Sequence, residues 1–346
     1  MFFSGNLKKV LGWGVTALIT MLAVVVTVTV GWRPLLGAKS RPLTGRQFER
    51  TPERLERGKY LVNAVTNCFD CHSELPQQKL EAGIAPVFAH LGAGRVMIDE
   101  GGLLISPPNI TPDNETGAGT WTDDQLARAI REGIGHDGRA LFPMMPYESY
   151  RNLSDEDLAS IIVYLRSLEP IHTNLPERKI PFPLSRLINT APEPVGSIVN
   201  DDSDPVARGR YLTRVGGCIE CHTPVDGMGK PIAGMEFAGG KYFRDFRVAS
   251  ANLTPDASGI VYYDEAMFIK ALRTGHVGAR PLHVPMPWWN FRNMKDEDLK
   301  AIYAYLRTVK PVHHRVDNSE FASKCKLCNG THGAGEENKG AATKNW

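Results

Sequence analysis

Cys68-Phe69-Asp70-Cys71-His72 and Cys218-Ile219-Glu220-Cys221-His222 repeat one pattern, Cys-x-x-Cys-His, within a chain of 346 residues. Two cysteines three apart lie on one side of a helical turn. There both sulfurs reach the two vinyl groups of one porphyrin, and the histidine that follows is left to ligate iron. This is the attachment pattern of c-type haem. A disulfide, a redox Cys-x-x-Cys or a zinc site would account for the cysteines but would leave the twice-repeated histidine unexplained. The reading is two covalently bound haem c groups, one on Cys68 and Cys71 with His72 on iron, the other on Cys218 and Cys221 with His222 on iron.

The motifs belong to an internal repeat, the feature that decides architecture before any single element does. Arg57-Gly58-Lys59-Tyr60-Leu61 matches Arg208-Gly209-Arg210-Tyr211-Leu212, and Asn109-Ile110-Thr111-Pro112-Asp113 matches Asn252-Leu253-Thr254-Pro255-Asp256. Ala129-Ile130-Arg131-Glu132-Gly133 matches Ala271-Leu272-Arg273-Thr274-Gly275, and Asp155-Glu156-Asp157-Leu158 matches Asp296-Glu297-Asp298-Leu299. The offset drifts only from 151 to 141, so the copies differ by small insertions. Two domains are expected, over residues 51–175 and 205–316, joined by an extended Pro-rich linker over 176–204.

Each unit reads as mostly α-helical. Leu158, Ile161, Ile162 and Leu165 form an i, i+3, i+4, i+7 stripe, as do Leu299, Ile302, Tyr303 and Leu306. The natural partners are the helices carrying Tyr60-Leu61 and Tyr211-Leu212, with Gly58 and Gly209 permitting close approach. Ser154 is placed to cap the first stripe helix, with Asp157 at its third position. Lys295 replaces that serine in the second unit, leaving Asp296 as the cap candidate.

A haem that carries electrons without binding small ligands needs a second axial group, and methionine in that role raises the potential. Pro143-Met144-Met145-Pro146-Tyr147 and Pro285-Met286-Pro287-Trp288 offer one in each unit. The repeat selects Met145 over Met144, because Met145 and Met286 both precede proline and stand ten residues before the matched Asp-Glu-Asp. Proline and its restriction of the preceding residue would hold the thioether in place. His136, His276 and His283 are the rival ligands.

With these residues in hand, the chain resembles a tandem of class I cytochrome c domains. More narrowly, it resembles the multihaem cytochrome c subunits of bacterial membrane-bound dehydrogenases of the alcohol and gluconate type. The resemblance covers roughly residues 51–316. It implies His72 with Met145 and His222 with Met286 as axial pairs in an electron-passing module. Two features depart from the family: its dehydrogenase subunits usually carry three haems where this chain supplies two, and this chain begins with an anchor helix.

Val10 to Trp32 is a run of 23 uncharged residues, long enough at about 1.5 Å per residue to cross a bilayer. Trp13 and Trp32 sit near its ends, where indoles favour the headgroup region. The apolar run exceeds a signal peptide's and no clear small-x-small cleavage site follows. The expectation is one transmembrane anchor over 10–32, a cytoplasmic end at 1–9 and a linker at 33–50. Residues 1–50 carry seven basic groups and one acidic, and the positive-inside count alone points against that orientation. Large domains translocate largely regardless of charge, and covalent haem attachment belongs to an export compartment. The location read is therefore the bacterial inner membrane, single-pass, with both haem domains in the periplasm.

The tail, 317–346, contains Cys325-Lys326-Leu327-Cys328-Asn329 and His332, with asparagine where the motif needs histidine. It reads as degenerate, its cysteines free or disulfide-bonded; a haem ligated by His332, or a small metal site with an external ligand, are the alternatives.

Forty Lys plus Arg against 38 Asp plus Glu leave +2, without the basic excess of a nucleic-acid binder. There is no Gly-rich nucleotide loop, His-rich cluster or nucleophile elbow, so no catalytic residue is assigned. The function expected is electron transfer between a quinol-oxidising complex or dehydrogenase and a terminal oxidase or soluble carrier. The alternative is a dihaem redox enzyme, a peroxidase or sulfur-compound oxidoreductase, which would need an open sixth position on one iron.

Overall fold

Gly58 and Gly209 mark where each unit is tightest. A Cβ on Gly58 would stand 1.9 Å from the Ser160 carbonyl oxygen, and one on Gly209 1.9 Å from that of Ala301. Only glycine lets these backbones meet. The computed structural model describes residues 4–76, 88–200, 202–227, 229–321 and 323–333. The first three residues of the expected cytoplasmic end and the last thirteen of the tail lie outside them.

The α-helices of five or more residues are numbered in chain order; the π-turn Leu61–Val65, which continues α2, is left unnumbered. After α1 (Ser4–Thr29), the first unit holds α2 (Pro52–Tyr60), α3 (Cys68–His72), α4 (Asp123–Glu132) and α5 (Asp155–Arg166). The second repeats them as α6 (Pro205–Val215), α7 (Cys218–His222), α8 (Glu265–Thr274) and α9 (Asp296–Leu306). Helix α2 crosses α5, and α6 crosses α9, at the two glycines. Strand is confined, among the described residues, to four short antiparallel pairs.

Local chemistry explains the helix ends. Thr51 Oγ1 accepts from the Arg54 N–H, Thr122 and Gln125 form a capping box at α4, and Ser154 Oγ accepts from the Asp157 N–H at α5. Helix α9 differs from the expectation. Its N-cap is Lys295, whose side chain makes no capping bond, and Asp296 is already the first helical residue.

The stripe residues Leu158, Ile161, Ile162 and Leu165 are buried against Leu61, Val62 and Val65, and Leu299, Ile302 and Leu306 against Leu212 and Val215. A single apolar core runs through both units. Reciprocal polar contacts join them as well. Tyr211 of the second unit donates to Asp157 of the first at 2.6 Å, and Tyr60 of the first donates to Asp298 of the second. Asp70 accepts from Trp289 Nε1 at 3.2 Å and Asn290 Nδ2 at 2.6 Å. The segment 176–204 runs back along the first unit: Lys179 pairs with Leu104, Arg131 donates to the Gly196 carbonyl, and Ile188 is buried.

Within α1, Lys9–Thr29 is a 21-residue apolar stretch with mean hydropathy 2.1 and none of its surface covered by the rest of the chain. It is long enough to cross a membrane. Its threonine hydroxyls are satisfied internally, Thr16 donating to the Gly12 carbonyl and Thr27 to that of Ala23, so no threonine hydroxyl is left for lipid to solvate. The helix stops at Thr29, short of the expected Trp32. Gly31 takes a left-handed φ of 70° and donates back to the Val26 carbonyl at 2.7 Å.

Candidate haem site

A left-handed residue stands immediately before each Cys-x-x-Cys-His helix, Asn67 at φ 51° and Gly217 at φ 72°. That turn ends the preceding helix and starts a five-residue helix in a new direction. It delivers Cys68, Cys71 and His72 in one unit, and Cys218, Cys221 and His222 in the other, to the wall of one cavity of about 920 Å³.

The histidines are fixed in a single tautomer. His72 Nδ1 donates to the Pro108 carbonyl at 2.8 Å and His222 Nδ1 to that of Ala251 at 2.7 Å, which leaves each Nε2 with its lone pair, as an iron ligand requires. Burial, the dominant cause, lowers both imidazole pKa values. Sequence reasoning missed the two carbonyls, although Pro108 and Ala251 directly precede the matched Asn-x-Thr-Pro segments. That motif works as a staple. Asn109 Oδ1 accepts from Thr111 N at 3.0 Å and its Nδ2 donates to the Ile171 carbonyl at 2.6 Å. Asn252 does the same with Thr254 at 2.8 Å and Val312 at 2.9 Å. Each carbonyl that orients a histidine is thereby tied to the chain leaving the last helix of its unit.

The four cysteines are half-buried and their thiols stay protonated. Burial pushes Cys68 and Cys71 to about 11 and Cys218 to about 12, and raises Cys221.

Met145 and Met286 line the same cavity, each packed against the core. Their loops are clipped in place: Tyr147 N donates to the Met145 carbonyl and Trp288 N to that of Met286, both at 2.8 Å. The aromatic after each Met-Pro lies across a left-handed glycine. A Cβ on Gly133 would come within 2.8 Å of the Tyr147 ring, and one on Gly275 within 2.5 Å of the Trp288 ring. Met144 also borders the cavity but is 37% exposed. Among the rivals, His136 and His283 reach the cavity wall, His136 stacked on Trp121 at 4.3 Å. His276 is exposed, its Nδ1 bonded to the Thr274 carbonyl at 3.0 Å.

The cavity fits porphyrin in kind. Its walls are largely apolar, with Val65, Ile130, Leu165, Leu212, Phe268 and Leu306 among them. Arg139 in the first unit, Arg178 in the segment that follows it and Arg280 in the second unit stand at the wall as cations that could pair with acidic propionates.

Comparison with known proteins decides the family. The family model described as Cytochrome c matches residues 55–169 and 206–310, the two repeat units. The chain belongs to the cytochrome c family. This cytochrome is an electron-transfer protein whose domains carry covalent haem c. It is 29% identical over 270 residues to the fructose dehydrogenase cytochrome subunit of Gluconobacter japonicus, covering 74% of this chain and 52% of the relative. It is 27% identical over 277 residues to the cytochrome c subunit of the quinone alcohol dehydrogenase of Gluconobacter oxydans, covering 75% and 55%. A diheme cytochrome c-type protein of Cereibacter sphaeroides is 29% identical over 252 residues, covering 71% and 82%. The cytochrome thus spans about half the length of the two dehydrogenase subunits.

Proposed function

We propose that this cytochrome is a membrane-anchored dihaem electron carrier of a bacterial respiratory chain, held in the inner membrane by α1 with both haem domains in the periplasm. It takes electrons from a dehydrogenase or a quinol-oxidising complex and passes them to a terminal oxidase or a soluble carrier. The observation that carries this reading is the duplicated lining of one cavity: two Cys-x-x-Cys-His helices and two Met-Pro loops, each histidine locked in the ligating tautomer. A third Cys-x-x-Cys-His does not occur in the sequence.

When bound, haem supplies a one-electron couple at iron. Cys68 and Cys71, and Cys218 and Cys221, would hold it through thioethers. His72 with Met145, and His222 with Met286, would ligate its iron, and a thioether ligand would raise the potential. The Pro108 and Ala251 carbonyls hold the imidazoles in orientation, the apolar walls would exclude water, and Arg139, Arg178 and Arg280 would hold the propionates. The dehydrogenase donor is supported by two relatives that are dehydrogenase cytochrome subunits. The dihaem state is supported by the third.

Pyridine haemochrome analysis of the detergent-purified protein should give about two haems per chain, both low-spin and inert to carbon monoxide when reduced. One haem per chain would overturn the dihaem reading. A native haem that takes up carbon monoxide would overturn the carrier reading in favour of the redox-enzyme alternative. Copurification of a dehydrogenase or a quinol-oxidising complex from solubilised membranes would identify the donor.

A further inference from the structure

The tail reads as degenerate by sequence, yet the fold gathers its cysteines with two histidines. The ligand atoms of His314, Cys325, Cys328 and His332 all lie within 4.8 Å of one another. Cys325 Sγ is 3.4 Å from His314 Nε2, and Cys328 Sγ is 3.2 Å from His332 Nε2. A tetrahedral zinc ion with its usual bonds to sulfur and nitrogen has ligand–ligand edges of about 3.3 to 3.8 Å. The Cys325–His314 and Cys328–His332 edges fall at or next to that range.

Two separate stretches build the cluster. His314 sits on the segment leaving α9, and the other three belong to a hairpin pairing Ser323–Lys324 with Thr331–His332. The Cys-x-x-Cys turn is folded as a knuckle. The Leu327 N–H points to Cys325 Sγ at 3.3 Å, the Gly330 N–H to Cys328 Sγ at 3.4 Å, and Cys325 N closes the turn on the Gly330 carbonyl at 2.8 Å. Amides aimed at sulfur favour thiolate. Each imidazole also has an outer partner of the kind that orients metal-bound histidine: His314 Nδ1 donates to the Ala238 carbonyl at 2.8 Å, and the His332 ring bonds the Arg315 backbone. Two thiolates and two neutral imidazoles around a divalent ion make a centre of zero net charge, which Cys328, His314 and His332, all buried, can enclose at little desolvation cost.

The first unit provides an internal control. Thr173 occupies the position of His314, its N–H on Thr116 Oγ1 at 2.9 Å as the His314 N–H is on Ser258 Oγ at 2.9 Å. Arg95 stands where the second unit has Gly240, each donating its N–H across to the strand before the Asn-x-Thr staple. A Cβ on Gly240 would lie 2.6 Å from the His314 ring and 2.8 Å from His332 Nε2. The second unit has gained the ligand and lost the side chain that would obstruct it.

We propose that His314, Cys325, Cys328 and His332 bind one zinc ion in a closed structural site that fastens the C-terminal hairpin to the second domain. Binding displaces the two thiol protons to solvent and changes no oxidation state. The site needs no ligand from outside, and its carbonyl partner Ala238 lies next to Gly239, whose N–H donates to the His222 carbonyl at 2.7 Å. The ion thus braces the loop behind the second Cys-x-x-Cys-His helix.

The test is metal analysis of the full-length detergent-purified protein by plasma mass spectrometry, with X-ray absorption at the zinc edge. The expected result is about one zinc per chain with two sulfur and two nitrogen neighbours. Double substitution Cys325→Ser, Cys328→Ser should reduce zinc at least tenfold while the covalent haem content and iron per chain stay unchanged. In the wild type, a chelator should make both cysteines reactive to iodoacetamide and added zinc chloride should protect them again; this readout holds even if the variant accumulates poorly. Zinc-free protein carrying a Cys325–Cys328 disulfide would overturn the proposal. So would a third covalent haem on these cysteines, or a zinc edge showing no sulfur neighbours.

Discussion

Tyr211 Oη lies 2.6 Å from Asp157 Oδ2, and the phenol and the carboxylate belong to different haem domains. Asp157 is also held by Arg57, through two bonds of 2.8 Å. Burial and the neighbouring carboxylate push the Tyr211 phenol far above its ordinary pKa, so it remains a donor at any physiological pH.

Tyr211→Phe should therefore weaken the join between domains without unfolding either. Removing the hydroxyl while Arg57 still pairs the carboxylate should cost about 1 kcal/mol. Asp157→Ala, which strands both Tyr211 and Arg57, should cost about 2 kcal/mol or more. Urea unfolding of the solubilised protein measures both, and equal effects of the two substitutions would show that the phenol carries the whole interaction.

Gly58→Ala and Gly209→Ala should each separate a helix pair, because the new methyl meets a backbone carbonyl that cannot turn aside. A loss of about 3 kcal/mol or more is expected for either, at the upper end of overpacking effects. Calorimetry of the haem-loaded protein should show a lowered melting temperature. A midpoint within one degree or so of the wild type would mean that the helices can part at little cost.

Met145→His and Met286→His should each shift one redox wave to lower potential and leave the other in place, since imidazole favours ferric iron where thioether favours ferrous. Potentiometric titration followed by absorbance separates the two waves. Two unmoved waves would make these methionines packing residues and put His136 or His283 forward as ligands, both being at the cavity wall.

Residues before the first domain are strapped to α4 by charge. Arg41 donates to both oxygens of buried Asp124, at 3.0 and 2.6 Å, and to Glu132 at 2.7 Å, and the Thr44 N–H also reaches Asp124. Burial would raise the Asp124 carboxyl, but Arg41 and Thr44 outweigh it and hold it below its ordinary value. Its contribution to stability is then full above an unfolded-state value of roughly 4 and is lost as pH falls through the folded value. Glu132 has the opposite sign: burial raises its pKa, so its contribution is full below roughly 4.5 and fades as pH rises. The strap should hold from neutral pH down to about 4 and open only below it. Hydrogen exchange at the Thr44 amide, which donates to Asp124, reports this, and Arg41→Ala should open the strap already at pH 7. Release of the wild-type strap above pH 5 would contradict the assignment to Asp124.

The candidate attachment sites were legible because their chemistry is local: both sulfurs and the imidazole lie within five residues. Met145 and Met286 became candidates only by comparing the units, since methionine in a loop has no pattern of its own. The capping of α9 was misjudged because Lys295 satisfies the backbone geometry of a cap without supplying an acceptor. His314 could not be joined to Cys325 and Cys328 by spacing, because the approach depends on a glycine at 240 and on a carbonyl at 238. One signal was available: unit alignment places Thr173 opposite His314. The inter-domain bonds were hidden in plain view, Tyr60, Tyr211, Asp157 and Asp298 all lying in matched segments that read as marks of each unit's own core.

The exchange of Tyr60 to Asp298 and Tyr211 to Asp157 has the form of an isologous contact, in which residue i of one copy meets residue j of the other and j meets i. Such a contact is self-complementary, so one haem domain carrying both the tyrosine and the aspartate already holds everything needed to form a C2 homodimer. Tandem duplication of that domain's coding segment would place the dimer within a single polypeptide without inventing an interface. The segment 176–204 then has only to span from one copy to the next. The two halves would then be free to differ, as they do where Thr173 of the first stands opposite His314 of the second.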